Sequence, residues 1–83
     1  MGEVRDRIRA FLSRYIRIKD LPDDADIFAL GLVNSLFAMQ LVTWVEQEFD
    51  ITVEDDDLEL SNFNSVSAIV CFVQRKTAAA IKE

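Results

Sequence analysis

The stretch GLVNSLFAMQLV, residues 31–42, decides how this chain is read. Asn34 is the expected N-cap of a helix over residues 35–49, with Asp50 near its end. Ser35 then falls in the first turn, beside backbone N–H groups that have no partner within the helix and at the positive end of its dipole. That environment accepts a phosphate. Three uses of the hydroxyl follow: a helper to Asn34 in capping, a nucleophile, or an acceptor offered to another enzyme.

On a helical wheel, Ala38, Met39, Leu41, Val42, Val45 and Phe49 share one arc, expected to face the core. Leu36, Phe37, Gln40, Thr43, Trp44 and Gln47 fall on the other side. Two aromatic rings and a leucine there exceed what a solvent face needs, so this side is expected to contact a partner.

Upstream, residues 3–17 place Val4, Ile8, Phe11, Leu12, Tyr15 and Ile16 within roughly 140° of arc, an amphipathic helix whose apolar stripe a short chain needs for its core. Residues 18–33 lose that periodicity and form a long loop punctuated by Pro22, with Ile27, Phe28, Leu30 and Leu32 as expected apolar anchors. Downstream, a short helix is expected within VEDDDLELS, its acids suiting the positive end of a dipole. A last helix is expected from about Ser65 into residues 78–80, with Val66, Ile69, Val70 and Val73 on one stripe and Cys71 opposite. The fold class is all-α: one domain over residues 1–83, a small four-helix bundle of three longer helices and one short one, with a long first loop.

Composition narrows the chemistry. The chain holds 51% apolar and 29% charged residues with two glycines and one proline, a globular and helix-permissive composition. A domain of this size buries only about 60 to 65% of the surface its unfolded chain exposes, so the core must be local. No apolar run approaches the roughly 20 residues of a membrane span, and a soluble cytoplasmic protein is expected. With no histidine and one cysteine, neither a Ser-His-Asp site nor a His/Cys zinc site can be assembled. The acids in 54–57 lack the alternating ligands, glycine and distal glutamate of a calcium loop. Cys71 reads as a bystander thiol. Net charge is −6, and residues 20–74 contain no lysine or arginine while holding twelve of the fifteen acids. A basic protein surface is therefore the expected partner, not a nucleic acid.

Taken together, Asp26-Ile27-Phe28, Gly31-Leu32, Asn34-Ser35-Leu36, the helix ending Glu46-Gln47-Glu48-Phe49-Asp50-Ile51, and Phe63 with Ser65-Val66 resemble the acyl carrier proteins over nearly the whole chain. The resemblance implies that Ser35 receives 4′-phosphopantetheine, drawn from coenzyme A by a separate phosphopantetheinyl transferase, and that the arm's thiol carries an acyl group as a thioester. It implies a carrier that is a substrate of other enzymes and needs no catalytic machinery of its own. Two departures stand out. Asn34 occupies a position where the family usually has aspartate, and the second-helix face, often acidic, is here largely apolar or neutral. Partner contact is then expected from Asn34, Leu36, Phe37, Gln40, Thr43, Trp44, Glu46 and Gln47 by packing, with Glu46, Glu48, Asp50 and the acids of 54–57 steering.

The run VNSLFAMQLV further resembles discrete carriers of polyketide pathways that handle glyceryl, hydroxymalonyl, methoxymalonyl or aminomalonyl extender units, and the length of the chain fits. That implies an acyl-loading enzyme, dehydrogenases and an acyltransferase or synthase as partners, with a monomeric carrier, no nucleic acid and no membrane. A fatty-acid carrier, a stand-alone peptidyl carrier, or a helical interaction module in which Ser35 only caps are the alternatives.

Overall fold

The computed structural model describes residues 2–16 and 21–81. Three α-helices, α1 (Gly2–Leu12), α2 (Ser35–Phe49) and α3 (Val66–Ile81), are joined by irregular segments, and no strand occurs among the described residues. The short helix expected between α2 and α3 is instead two 3₁₀ turns, Asp55–Asp57 and Leu60–Asn62. The first closes on itself. Asp57 Oδ2 accepts the Glu54 N–H at 3.1 Å and the Lys76 ammonium at 2.8 Å, while the Glu59 N–H turns back to Asp57 O at 2.8 Å, so no i−4 ladder propagates. Among the described residues the fold is all-α, with three α-helices and 3₁₀ turns in place of the expected short fourth helix.

α1 ends earlier than its apolar stripe suggests. Ser13 Oγ donates to Ala10 O at 2.7 Å, the carbonyl an α-helical Arg14 N–H would use. Arg14 N–H bonds Phe11 O at 3.2 Å instead, and the helix tightens into turns that deliver Tyr15 and Ile16. Residue 17 of the expected helix and residues 18–20 of the expected loop lie outside the described residues.

The connection from Leu21 to Asn34 is fixed by its own polar groups. Asp26 Oδ1 accepts the N–H groups of Phe28 and Ala29 at 3.0 and 2.9 Å, starting a single helical turn. Gly31 ends it at φ +74°, with Gly31 N–H to Phe28 O at 3.0 Å and Leu32 N–H to Ile27 O at 3.1 Å, the double closure of a Schellman motif. Only a residue without Cβ enters that left-handed conformation freely. Ile27 is fully buried and Phe28 and Leu32 are half-buried, but Leu30, expected as an anchor, is 60% exposed because the turn carries it outward. Two bonds tie this connection to α3 and the residues just before it: Ile27 N–H to Asn64 O and Ser67 N–H to Asp23 O, both 2.8 Å. Ser65 caps α3 through Oγ, which accepts the Ala68 N–H at 3.1 Å. Arg5 and Arg9 of α1 both pair with Asp23, Arg9 at 2.6 Å, and the Arg5 guanidinium, aided by Arg9, holds the Asp23 carboxyl below its ordinary range.

Among the described residues the core is built from apolar side chains that include Ile8, Phe11 and Leu12 of α1, Phe37, Leu41 and Val45 of α2, and Val66, Ile69, Phe72 and Val73 of α3. α2 is rotated relative to the expected wheel. Its buried stripe centres on Leu41, about 80° from an arc centred near Phe49. Phe37, expected on the partner face, is buried, with its ring 5.9 Å from that of Phe11 and edge-on to Tyr15 at 4.9 Å. Met39, expected in the core, is 61% exposed.

Candidate functional site

Ser35 is the first residue of α2, and its side chain is exposed. The preceding residue does the capping. Asn34 has an extended backbone, and its Oδ1 accepts the Phe37 N–H at 3.1 Å while its carbonyl accepts the Ala38 N–H at 3.1 Å. The Ser35 and Leu36 N–H groups lie at the helix start, ahead of the intrahelical ladder. α2 carries no acid in its first turn, so the positive end of its dipole is not neutralised locally in an otherwise acidic tract. An exposed hydroxyl, open N–H donors and no adjacent carboxylate suit a phosphate ester. The sequence has no histidine and the first turn of α2 no acid, so activation of the hydroxyl would fall to another protein.

The rotation of α2 decides what surrounds Ser35. Leu36 is 70% exposed, and Met39, one turn along, stands on Ser35's side of the helix. Gln40, Thr43 and Gln47 are exposed, as the outer-face reading expected. Trp44 is half-buried, its indole stacked on Phe11 at 4.4 Å and 16° between planes. Between the end of α1 and α2 lies an open groove of about 430 Å³, with Phe11, Tyr15 and Trp44 on one side and Met39, Gln40, Thr43 and Gln47 along α2. Sequence reasoning missed this groove and the exposure of Met39. The signal was present, since an accessible Ser35 and a 100° step bring Met39 and Thr43 outward with it and turn Phe37 inward.

The acids expected to steer partners are partly engaged within the fold. Glu46 Oε2 accepts the Val53 N–H at 2.8 Å, so this half-buried residue, expected as a contact, holds the segment after α2. Glu48 pairs with Arg7 at 3.3 Å. Lys76, helped by the Glu54 N–H, holds Asp57 below its ordinary carboxyl range. Asp50, Asp55 and Asp56 remain exposed. Asp50 closes α2 in the left-handed conformation at φ 54°, its N–H on Glu46 O. Cys71 is exposed on α3. Among the described residues, no group of three or more His, Cys, Asp or Glu side chains is placed to hold a metal ion, and no helix is long and apolar enough to cross a membrane.

Residues 6–70, a span that includes Ser35, match the family described as phosphopantetheine attachment site. The chain belongs to this phosphopantetheine-attachment family. Members carry covalently attached 4′-phosphopantetheine, and carriers of this kind are substrates of other enzymes rather than catalysts. Three relatives show the breadth of the likeness. The carrier domain is 34% identical over 70 residues to a non-reducing polyketide synthase of Stachybotrys bisbyi, covering 84% of this chain but 3% of the synthase. It is 32% identical over 54 residues to a D-alanyl carrier protein of Lactococcus lactis subsp. cremoris, covering 65% of this chain and 68% of that protein. It is also 32% identical over 66 residues to an aminoacyl carrier protein of Agrobacterium fabrum, covering 80% and 78% respectively. The arm that the family carries supplies a terminal thiol on which an acyl group is held as an activated thioester. In this chain the start of α2 presents the exposed hydroxyl of Ser35.

Proposed function

We propose that Ser35 is the attachment residue and that residues 1–83 act as one cytoplasmic carrier domain moving a small acyl thioester between enzymes. The observation that carries this reading is the division of labour at the start of α2: Asn34 makes the capping bond, which leaves an exposed Ser35 hydroxyl at a helix end without acids. A phosphopantetheinyl transferase loads the arm from coenzyme A. A loading enzyme, dehydrogenases and an acyltransferase or synthase then meet the face bearing Leu36, Gln40, Thr43, Trp44 and Gln47, with Asn34 beside the arm. Because Phe37 is buried and Glu46 is hydrogen-bonded to Val53, these two act on partners only by shaping that face. The cargo on this reading is an extender-unit precursor of polyketide assembly, supported by the VNSLFAMQLV run and by likeness to a polyketide synthase.

A second reading has its own support. Likeness to D-alanyl and aminoacyl carrier proteins favours an amino-acid cargo on the same arm. Fragmentation mass spectrometry of the carrier purified from its producing cell tests both at once. An arm on the peptide containing Ser35, bearing a glyceryl or malonyl-type acyl group, supports the first; an aminoacyl group there supports the second. An arm on Ser13, Ser61, Ser65 or Ser67 would overturn the attachment assignment.

A further inference from the structure

The exposed stripe of α2 is uncharged in a chain of net charge −6. Leu36, Met39, Gln40, Thr43 and Gln47 are all exposed and share about 100° of arc over about 16 Å of helix. The groove beside the stripe is also lined without a charged side chain. The charges stand at its two ends instead, and they differ in sign. At the start of α2 lies the positive dipole end, with no acid in its first turn. Arg14, exposed and without an ion pair among the described residues, precedes the Tyr15 that packs on Phe37 at that end. At the other end α2 has no base in its last turn. Asp50, exposed and likewise without an ion pair among the described residues, closes the helix there with Glu48 nearby. These acids sit at the negative end of their own helix dipole, where charge of that sign is unfavourable.

A face that is neutral along its length and oppositely charged at its ends complements itself when inverted. We infer that the unmodified chain pairs with a second copy of itself through this stripe, α2 antiparallel to α2 about a two-fold axis, and that an arm on Ser35 separates the pair. The separation, but not the pairing, rests on the assignment of Ser35 as the attachment residue. With the axis level with positions 41 and 42, Met39 of each copy meets the second copy's Trp44, Gln40 its Thr43 and Leu36 its Gln47. Met39 is unbranched and adaptable, and it enters a groove whose side is fixed in advance by the stacking of Trp44 on Phe11. Gln40 and Gln47 make no hydrogen bond among the described residues, so both bring donors and acceptors to the seam. The start of each α2 then lies against the acids that end the other, twice by symmetry.

The contact is small. About 16 Å of helix roughly 10 Å wide covers far less than the about 800 Å² per partner of a standard interface, so the pair is weak and exchanges with free monomer. A transferase takes up that monomer. The arm's phosphodiester then adds a negative charge at the start of α2, facing the second copy's Glu48 and Asp50 in two places at once, and like charges opposed across an interface drive it apart. The face that meets acyl-handling enzymes is thus covered in the unmodified chain and open in the loaded one, and the monomer expected of a carrier is the loaded form.

The test is sedimentation velocity from about 10 µM to about 1 mM, using Cys71→Ser protein so that no disulfide joins two copies. The apparent mass of the unmodified chain is expected to rise from that of one copy toward that of two. In a mixture of methyl-labelled and unlabelled copies, the Met39 methyl is expected to show a nuclear Overhauser contact to the indole of Trp44, the only tryptophan, in the other copy. Thr43→Glu, an exposed substitution that sets a carboxylate in the seam, is expected to weaken pairing at least about tenfold with an unchanged circular dichroism spectrum. Asp50→Asn, which tolerates the left-handed backbone and removes the charge, is expected to weaken it about threefold. Conversion with coenzyme A and a phosphopantetheinyl transferase, checked by intact mass, is expected to leave a monomer throughout the range. A chain that stays monomeric throughout, or that pairs equally well as Thr43→Glu, overturns the inference. So does a loaded form that pairs as tightly as the unmodified one. If Met39 and Trp44 respond only to an added acyl-handling enzyme, the stripe belongs to that enzyme and the inference is likewise overturned. Absence of any mass gain brings down the Ser35 assignment and the separation with it, while sedimentation still decides the pairing, so the two failures are distinguishable.

Discussion

Leu36 and Phe37 are adjacent, both large and apolar, and the rotation of α2 assigns them opposite fates. Phe37 is buried, its ring packed on Phe11 and Tyr15, whereas Leu36 is 70% exposed. Phe37→Ala removes a buried aromatic and leaves a cavity, expected to cost about 3–5 kcal/mol. The two ring contacts account for about 0.5–1.5 kcal/mol each of what aromatic pairs add beyond area. The total stability expected of an 83-residue domain is only about 4–12 kcal/mol. The variant should therefore melt roughly 12–40 °C below wild type, at about 4–8 °C per kcal/mol. Phe37→Leu keeps most of the volume and remains measurable at about 1–2 kcal/mol. Leu36→Ala is expected to stay within about 0.5 kcal/mol, because it removes little buried area. Urea titrations followed by circular dichroism, with the slope checked for constancy, give all three values. Equal losses for Leu36→Ala and Phe37→Leu, or a larger loss for Leu36→Ala, would refute the placement of α2 and with it the groove.

Two further expectations concern the start of α2 and the acid response. Asn34→Ala should lose about 1 kcal/mol through the missing bond to the Phe37 N–H, while Asn34→Asp should keep the cap and gain about 0.3–1 kcal/mol at neutral pH from a negative charge at the positive helix end; thermal melts decide, and an Asn34→Ala melt equal to wild type counts against the cap. Asp23 and Asp57 are both held below the ordinary carboxyl value of 3.8 by their cationic partners, so the stability they contribute is present above that value and is lost as pH falls through the lower folded value. Stability should thus decline below about pH 4, and Asp57→Asn should flatten part of that decline while costing about 1 kcal/mol near neutrality, the upper end for a surface pair because both partners are half-buried.

What the sequence made legible was what local chemistry fixes. Asn34 and Asp50 bracket α2 as a capping residue and a left-handed close, and both effects act within a few residues. The apolar spacing of α3 likewise placed Val66, Ile69 and Val73 in the core. Facing was not legible for α2, because Leu36, Phe37, Met39, Leu41, Val42, Trp44 and Val45 put apolar groups on most of its circumference and two different arcs fit equally well. Phe11 of α1 and Tyr15 in the turns after it break that tie by packing on Phe37, one ring stacked and the other edge-on, a contact that no periodicity within α2 contains. The end of α1 escaped notice for a similar reason: a single Ser13 hydroxyl bond to Ala10 O outweighed a stripe that continues through Ile16. At the site, the serine at the start of α2 was legible from its neighbours, but the groove was not, since Phe11 and Tyr15 come to it from outside α2. Glu46 likewise reads as a surface acid until the segment after α2 folds back and offers it the Val53 N–H.

On the proposed function, the exposed hydroxyl of Ser35, left uncommitted by Asn34's capping, is where the arm is joined. Intact mass spectrometry after incubation with coenzyme A and a broad-specificity phosphopantetheinyl transferase tests it most directly. Wild type is predicted to gain one phosphopantetheinyl group and Ser35→Ala, with an unchanged circular dichroism spectrum, to gain none. Equal gain by Ser35→Ala, or no gain by the folded wild type, would contradict it.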